Sequence, residues 1–448
     1  MRDCHPMSDQ PSNQLSFHII TQGCKINQYE SQALAESWLA QGGSQASCLE
    51  QADIIVLNSC AVTDKALQDL RKTIHRCQRD NPSAQLVVTG CAAQMCIRDM
   101  GELIGVDRVI PQEEKSSLTL WPPKKWPASR LTSGPNPAKI FPGFWISRYP
   151  RARPGIKVQD GCSQACTYCI VPLTRGPARS RNPQDVVEEA VRLLANGYRE
   201  LIVSGINLAQ YRYQGMDFWD LIHYLHTQLA PEWQGAARLR LSSLDPSQLG
   251  PKALAVLAES RMLCPHLHVS MQSASHRVLQ AMGRTHYDPD RVAGFFRQLS
   301  GIWPCFALSG DFLVGFPGET ENDMQVTEDW FAAQPFTNAH IFAYSPRPGT
   351  LAAEAKNHVQ AEAKKERSKR LREMAAAKAE RFARQLLELP SLSVVLEGTD
   401  PGRGRSEYYV PCIFALRSKA RIKDLVPAVP ARADGSALVV RPKGVDAG

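Results

Sequence analysis

Short runs of β-branched residues alternate with amphipathic helical segments along this chain, a pattern that restricts it to an α/β architecture with parallel sheets. "FHIITQGC" leads into the helical "YESQALAESWLAQGG", and "DIIVLNSC" into "KALQDLRKTIHRCQRD". A third run, "QLVVTGC", leads on to a further strand, "RVI". Each of the three runs hands over a cysteine: Cys24, Cys60 and Cys91. A free cysteine is often just a small buried hydrophobe, so one such ending carries little information. Three are harder to treat as coincidence. In an open, doubly wound sheet, ligands sit outside the carboxyl ends of the strands. Three neighbouring strands would therefore converge their sulfurs on one crevice. Cys48, Cys77, Cys264, Cys305 and Cys412 read as core thiols; Cys96 is ambiguous, close to Cys91 but following no strand, and is grouped with them.

At 448 residues the chain is long for a single core, so several domains are expected. Residues 1–16 are polar without an apolar centre and read as a disordered tail rather than a signal peptide or anchor. No apolar run approaches membrane-spanning length. A cytoplasmic, reducing location follows as the expectation, and there the thirteen cysteines point to metal or redox chemistry rather than disulfides.

Residues 17–114 form the first α/β domain, and 115–149, rich in Pro, Ser and Trp, read as a linker. Residues 150–360 carry a second set of strands, "GIKVQ", "ELIVSG", "RLRLSSL", "HLHVSMQS", "ALSGDFLVGFPG" and "NAHIFAYS", mostly separated by helices. Half a dozen such units suggest an open or partial barrel with its site at the C-terminal strand ends. Residues 361–388 read as a long exposed basic helix. Residues 389–448, with short strands broken by Gly and Pro, suit a small all-β barrel. From position 361 onward there are 18 Lys and Arg against 11 Asp and Glu, nearly all of the chain's net +8. A basic end of this kind fits a polyanion such as RNA, or else a solvated helix that serves solubility.

The densest chemical signal is "DGCSQACTYCIVP", in which Cys162, Cys166 and Cys169 are spaced CxxxCxxC just after the first barrel strand. Thiolates are the usual ligands of iron–sulfur clusters. Three close thiolates can hold three corners of a [4Fe–4S] cube and leave the fourth iron open. The competing reading is zinc, which favours paired CxxC modules or CxxC with HxxxH, and neither lies nearby.

CxxxCxxC at this point of a β/α barrel resembles the radical S-adenosylmethionine (SAM) superfamily. "TQGCKINQYES", "NSCAVTDKA" and "VTGCAAQ" resemble the N-terminal domain of its methylthiotransferases. "PHLHVSMQSASHRVLQAMGRTH", "GDFLVGFPGETENDM" and "FAYSPRPGT" resemble their barrel, and "VVLEG…GRGRSEYYVPC" resembles a degenerate TRAM module. "GCKINQYES" looks most like the branch acting on threonylcarbamoyladenosine in tRNA, while "PQEEK" at Pro111 departs from the family's Gly/Asn-like turn.

The resemblance implies two [4Fe–4S] clusters, one on Cys162, Cys166 and Cys169 and one on Cys24, Cys60 and Cys91. It further implies SAM, a tRNA substrate, a reducing donor of flavodoxin or ferredoxin type, and insertion of sulfur and methyl at C2 of the modified adenine. A ribosomal-protein aspartate or isopentenyladenosine tRNA is the alternative substrate, and a zinc-holding RNA-binding protein the non-catalytic alternative. Candidate SAM contacts are Tyr168, Gly205, Asn207, Ser243, Gln272, Arg284, Gly315 and Gly318. Within "GFPGE", Pro317 and Gly318 read equally well as a turn, with Thr320 capping the next helix. Candidate RNA contacts are Lys364, Lys365, Arg367, Lys369, Arg370 and Arg372 on the basic helix, and Arg403, Arg405, Tyr408 and Tyr409 beyond it.

Overall fold

The computed structural model describes residues 15–61, 64–95, 105–123, 141–398, 402–415 and 420–443. Most of the N-terminal tail and Cys96 lie outside them. The chain divides into two units. The first comprises residues 1–147, 160–164 and 170–179, and the second 148–159, 165–169 and 180–448.

The first unit is built on strands β1 (Ser16–Thr21), β2 (Ser44–Gln45), β3 (Ile54–Ser59), β4 (Gln85–Gly90) and β5 (Arg108–Ile110). All pairs are parallel and the order is β2-β1-β3-β4-β5. This doubly wound order reverses direction between β1 and β3, the switch point at which such sheets bind ligands. Val56, Leu57, Val87 and Val88 are buried on both faces of the sheet, as parallel strands require. Helices α1 (Lys25–Ala40), α2 (Asp64–Asp80) and α3 (Cys91–Met95) follow β1, β3 and β4.

Part of the segment read as a linker packs into this unit. Trp121 stacks obliquely on Trp38 at 5.2 Å and edge-on to Phe17 at 5.7 Å. The Tyr29 hydroxyl donates to the Phe144 carbonyl at 2.7 Å, and Lys115 is buried. Pro and Ser suggested a loop, but the large apolar area of tryptophan anchors it.

The second unit begins with parallel strands in chain order: β6 (Gly155–Lys157), β7 (Glu200–Ser204), β8 (Arg238–Leu241), β9 (Ser243–Leu244), β10 (His266–Gln272), β11 (Ala307–Val314) and β12 (Asn338–Ala343). They form two sheets, β8-β7-β6 and β9-β10-β11-β12, with the chain passing from one to the other at Ser242. This is the partial β/α barrel. Phe312 packs on Phe331 and Phe336 on the helix-covered side of β11. By strand alternation Asp311 faces the opposite, inner side.

The basic helix runs Ala361–Gln385 and is not wholly exposed, because Leu371, Ala375, Phe382 and Ala383 are buried. Phe382, Ala383 and Leu386 share a core with a closed barrel of β13 (Leu392–Leu396), β14 (Arg403–Ser406), β15 (Pro411–Phe414), β16 (Leu425–Asp434) and β17 (Ala437–Pro442). That barrel docks at the N-terminal ends of the central strands. Arg238 and Arg240, both paired with Glu200, donate to the carbonyls of Ser393 (2.6 Å) and Glu407 (3.0 Å). Tyr409 stacks on His266 at 4.8 Å.

Candidate functional site

In the first unit Cys24, Cys60 and Cys91 leave three adjacent strands. Thr21 pairs with Asn58 and Ser59 with Gly90, so the three strand ends lie level. Gly23, at φ +97°, faces Cys60, and a Cβ there would stand 2.9 Å from the Cys60 Sγ. Gly90, at φ +100°, faces the Ser59 backbone just as closely. Both positions require glycine because a side chain would be strained and would overlap its neighbour. Cys24 stands at the N-cap position of α1, Cys91 opens α3, and none of the three forms a disulfide among the described residues.

A buried polar network extends inward from this crevice. Asn27 donates to the carbonyls of Gln22 and Ser59, each at 2.9 Å, bridging two of the strand ends. Its Oδ1 lies 3.9 Å from the Cys24 Sγ and accepts from Arg175 Nη2 at 2.7 Å. Arg175 Nη1 reaches both Glu30 and Asp160 at 2.9 Å. Lys115 Nζ reaches Glu30 at 2.5 Å and Gln112 at 3.0 Å. Burial opposes the Arg175 charge, but Glu30, the Cys91 thiol, Asp160 and the Cys24 thiol more than offset it and hold its pKa above the ordinary guanidinium value. Burial lowers Lys115, with Glu30 acting against it. Sequence reading missed Asn27, Glu30, Lys115 and Arg175. The one available signal was a carboxylate and an amide at helical spacing directly after Cys24.

Of the cysteines spaced CxxxCxxC, Cys162 belongs to the first unit and Cys166 and Cys169 to the second. Ahead of Cys162, Gly161 (φ +71°) lies against the Pro177 carbonyl with no room for a Cβ. In the second unit the loop is gripped by the segment Ala281–Arg284. Thr167 donates its N–H to Met282 O at 3.0 Å and its hydroxyl to Ala281 O at 2.9 Å. A Cβ on Gly283 would stand 2.9 Å from the Ala165 carbonyl.

Arg284 is buried beside Cys166, its Nη1 3.7 Å from the sulfur, while Nη2 pairs with Asp245 at 2.9 Å. Its Nε is buried and bonds nothing among the described residues. Burial would raise the Asp245 carboxyl, but the His286 hydrogen bond and the Arg284 charge hold it well below the usual carboxylate range. Burial pushes the Tyr168 phenol up, and Arg284 opposes this. A guanidinium beside the Cys166 sulfur, with a donor to spare, fits an anionic thiolate-ligated cluster.

The other candidate SAM residues divide into two groups. Tyr168 packs edge-on to Phe316 at 6.3 Å, in the cluster formed with Met282 and Tyr344. Gln272 takes φ +66° at an irregularity in β10. Ser243 donates to Asp311 at 3.3 Å. Asp311 also accepts from His268 at 2.9 Å and lies 3.8 Å from His340, a polar group on the inner strand faces that sequence reading missed. Its signal was the alternation in "HLHVSMQ", with polar residues on the face that the helices do not cover.

Gly205, Asn207, Gly315 and Gly318 instead meet the protein itself. A Cβ on Gly205 would stand 2.9 Å from Gln159 Cβ, and the Gln159 side chain accepts from the N–H of Asn207 at 2.7 Å. Gly315 (φ +73°) lies beneath the Lys364 stem, and a Cβ on Gly318 (φ +80°) would stand 2.5 Å from Asn357. Thr320 caps the helix Glu321–Ala333 as the turn reading required.

Several of the candidate RNA residues likewise have partners within the protein. Lys364 covers Gly315, and Arg367 is buried against Glu319 at 2.8 Å and Glu321 at 3.3 Å. Arg370 holds Glu321 and Glu328. Residues read separately as SAM and RNA contacts are thus partners of one another, latching the basic helix to the "GFPGE" turn. Arg405 pairs with Glu397 at 3.2 Å, Tyr408 packs edge-on to Phe382, and Tyr409 lies between His266 and three arginines. Lys365, Lys369 and Arg403 remain exposed. No helix among the described residues is long and apolar enough to cross a membrane.

Comparison with known proteins agrees with these features. Residues 16–110 match "Uncharacterized protein family UPF0004", and residues 156–331 match the "Radical SAM superfamily". The threonylcarbamoyladenosine tRNA methylthiotransferase MtaB of Bacillus subtilis is 32% identical over 83% of this chain and 82% of its own length. The protein of the same name from Thermotoga maritima is 32% identical over 88% and 90%. A tRNA-2-methylthio-N(6)-dimethylallyladenosine synthase of Geobacillus kaustophilus is 32% identical over 83% and 72%. Among solved structures, the radical SAM methyltransferase TsrM of Kitasatospora setae, with cobalamin and a [4Fe-4S] cluster bound, shares the fold over 76% of this chain and 77% of its own, at TM-score 0.58 and 14% identity. The chain belongs to the radical SAM methylthiotransferase family, with a tRNA-modifying role and iron–sulfur and SAM chemistry.

Proposed function

We propose that the protein is a tRNA methylthiotransferase holding two [4Fe–4S] clusters and acting at C2 of N6-threonylcarbamoyladenosine next to the anticodon. The observation that carries this reading is that Cys24, Cys60 and Cys91 follow the level carboxyl ends of three adjacent parallel strands, beside the switch point of the first sheet. Those three thiols lie apart from the CxxxCxxC set and offer a second cluster three ligands of its own.

When bound, the cluster on Cys162, Cys166 and Cys169 with SAM supplies a carbon-centred radical, and the cluster on the strand-end cysteines supplies sulfur. The protein's own part is placement. Gly23 and Gly90 let the strand ends close together, and Asn27 ties β1 to β3. The Ala281–Arg284 segment grips the CxxxCxxC loop, with Arg284 placing a positive charge beside Cys166. Ser243, His268, Asp311 and His340 present donors and acceptors on inner strand faces, where they can hydrogen-bond a polar base.

Two single variants test the division of labour. Cys24→Ala should abolish methylthiolated nucleosides in tRNA digests yet still release 5′-deoxyadenosine, whereas Cys166→Ala should stop both. Nucleoside mass spectrometry distinguishes the threonylcarbamoyl from the isopentenyl product. Continued product formation by Cys24→Ala would overturn the proposal, as would modification of a ribosomal protein in place of tRNA.

A further inference from the structure

Arg175 is buried within the first unit and touches the strand-end crevice on one side and the approach to Cys162 on the other. It holds Glu30 and Asp160 through one nitrogen and Asn27 through the other. Asn27 bridges β1 to β3, and its Oδ1 lies 3.9 Å from the Cys24 sulfur. The helix carrying Arg175, Val171–Arg175, packs against α3, which begins at Cys91. Around this point three cations (Lys115, Arg175 and Arg179) face two carboxylates (Glu30 and Asp160). By these pairs the cations outnumber the carboxylates beside the Cys24 and Cys91 thiols, in surroundings where water screens little.

Such an arrangement is more than a structural ion pair needs. A buried network of equal charges would serve packing alone, whereas an excess cation favours an anion next to it. A cube held by three thiolates is anionic, and it gains a further negative charge on reduction. Charge and hydrogen bonding close to a cluster are the protein's main means of setting its potential.

We infer that Arg175, supported by Lys115, is a positioning residue for the strand-end cluster: it orients Asn27 against Cys24 and raises the cluster's reduction potential by stabilising the reduced form. The inference rests on the proposal that Cys24, Cys60 and Cys91 hold a cluster, and it adds which residues tune that cluster.

The test uses the full-length chain with Cys162, Cys166 and Cys169 all changed to Ala, so that iron reports only on the strand-end site. After reconstitution, iron content and the midpoint of the reduced-cluster signal in electron paramagnetic resonance are measured during dithionite titration. Arg175→Gln should lower the one-electron reduction equilibrium constant at least tenfold, a shift of about 59 mV to more negative potential. Arg175→Lys should recover most of the parental value. Lys115→Gln, which leaves Arg175 to hold Glu30, should shift the midpoint the same way by less and guards against misfolding of the Arg175 variant. Parental potentials in both Gln variants would overturn the inference and leave Arg175 a purely structural residue. A parent that binds no iron would overturn the strand-end cluster itself.

Discussion

Gly23 lies against Cys60 so closely that a Cβ at position 23 would stand 2.5 Å from the Cys60 Cβ. The backbone there is left-handed, at φ +97°, so an alanine would be strained as well as crowded. Relief would require the Cys24 turn to move away from β3, separating two of the three sulfurs. Gly23→Ala should therefore cost about 1–3 kcal/mol in folding stability. More tellingly, the reconstituted iron content should fall toward that of a single cluster while SAM cleavage persists. Iron analysis and 5′-deoxyadenosine release on the same preparation check both parts.

Asp245 and Arg284 form the corresponding pair in the second unit, 2.9 Å apart and buried beside Cys166. The folded-state pKa of Asp245 is depressed, so its stabilisation is fully present above the unfolded aspartate value near pH 4 and is lost as pH falls through the folded value. Asp245→Asn should remove about 2–3 kcal/mol at neutral pH and flatten the acid limb of the stability curve. Denaturant melts between about pH 3 and 7 show this as a loss of slope below pH 4. Arg284→Met should suppress 5′-deoxyadenosine formation while leaving the strand-end iron in place.

The legible parts of this molecule were those encoded locally. Val56, Leu57, Val87 and Val88 announce buried strands within a few residues, and the parallel sheet and its three cysteine endings follow. Lys115 was illegible because its partner, Glu30, lies 85 positions away and no local pattern shows that a lysine in a polar loop will be buried. The contact between Gly315 and Lys364 was hidden for the same reason. Each suited an external ligand when considered alone, and only the folded chain shows that each fills the other's space. The polar face of "HLHVSMQ" was readable in principle, since period-two alternation survives in a strand whose inner face lines a partial barrel.

Tyr409 joins the C-terminal barrel to the central strands. Its ring stacks on His266 at 4.8 Å and is flanked by the guanidinium groups of Arg153, Arg240 and Arg405 at 5.2, 5.0 and 4.6 Å. Stacking and cation–π contacts contribute about 0.5–1.5 and 0.5–2 kcal/mol each. Tyr409→Ala should then cost about 2–4 kcal/mol, since alanine loses these contacts and keeps the left-handed strain at φ +66°. Limited proteolysis should release the barrel sooner than from the parent.

The basic helix separates cations that hold the fold from cations available to a polyanion. Arg367 is buried against Glu319, so Arg367→Ala leaves a carboxylate without its partner and should cost about 3–5 kcal/mol. Lys365 and Lys369 are exposed one helical turn apart, and changing both to Glu should alter stability by no more than about 0.5 kcal/mol. If tRNA phosphates lie against this face, the double variant should bind tRNA at least tenfold more weakly at low salt. The slope of log affinity against log salt should also become shallower by about 1.4–1.8, the contribution of two phosphate contacts. An unchanged slope would mean that these lysines serve solubility alone. In that case Arg403, exposed on the C-terminal barrel, becomes the next cation to test.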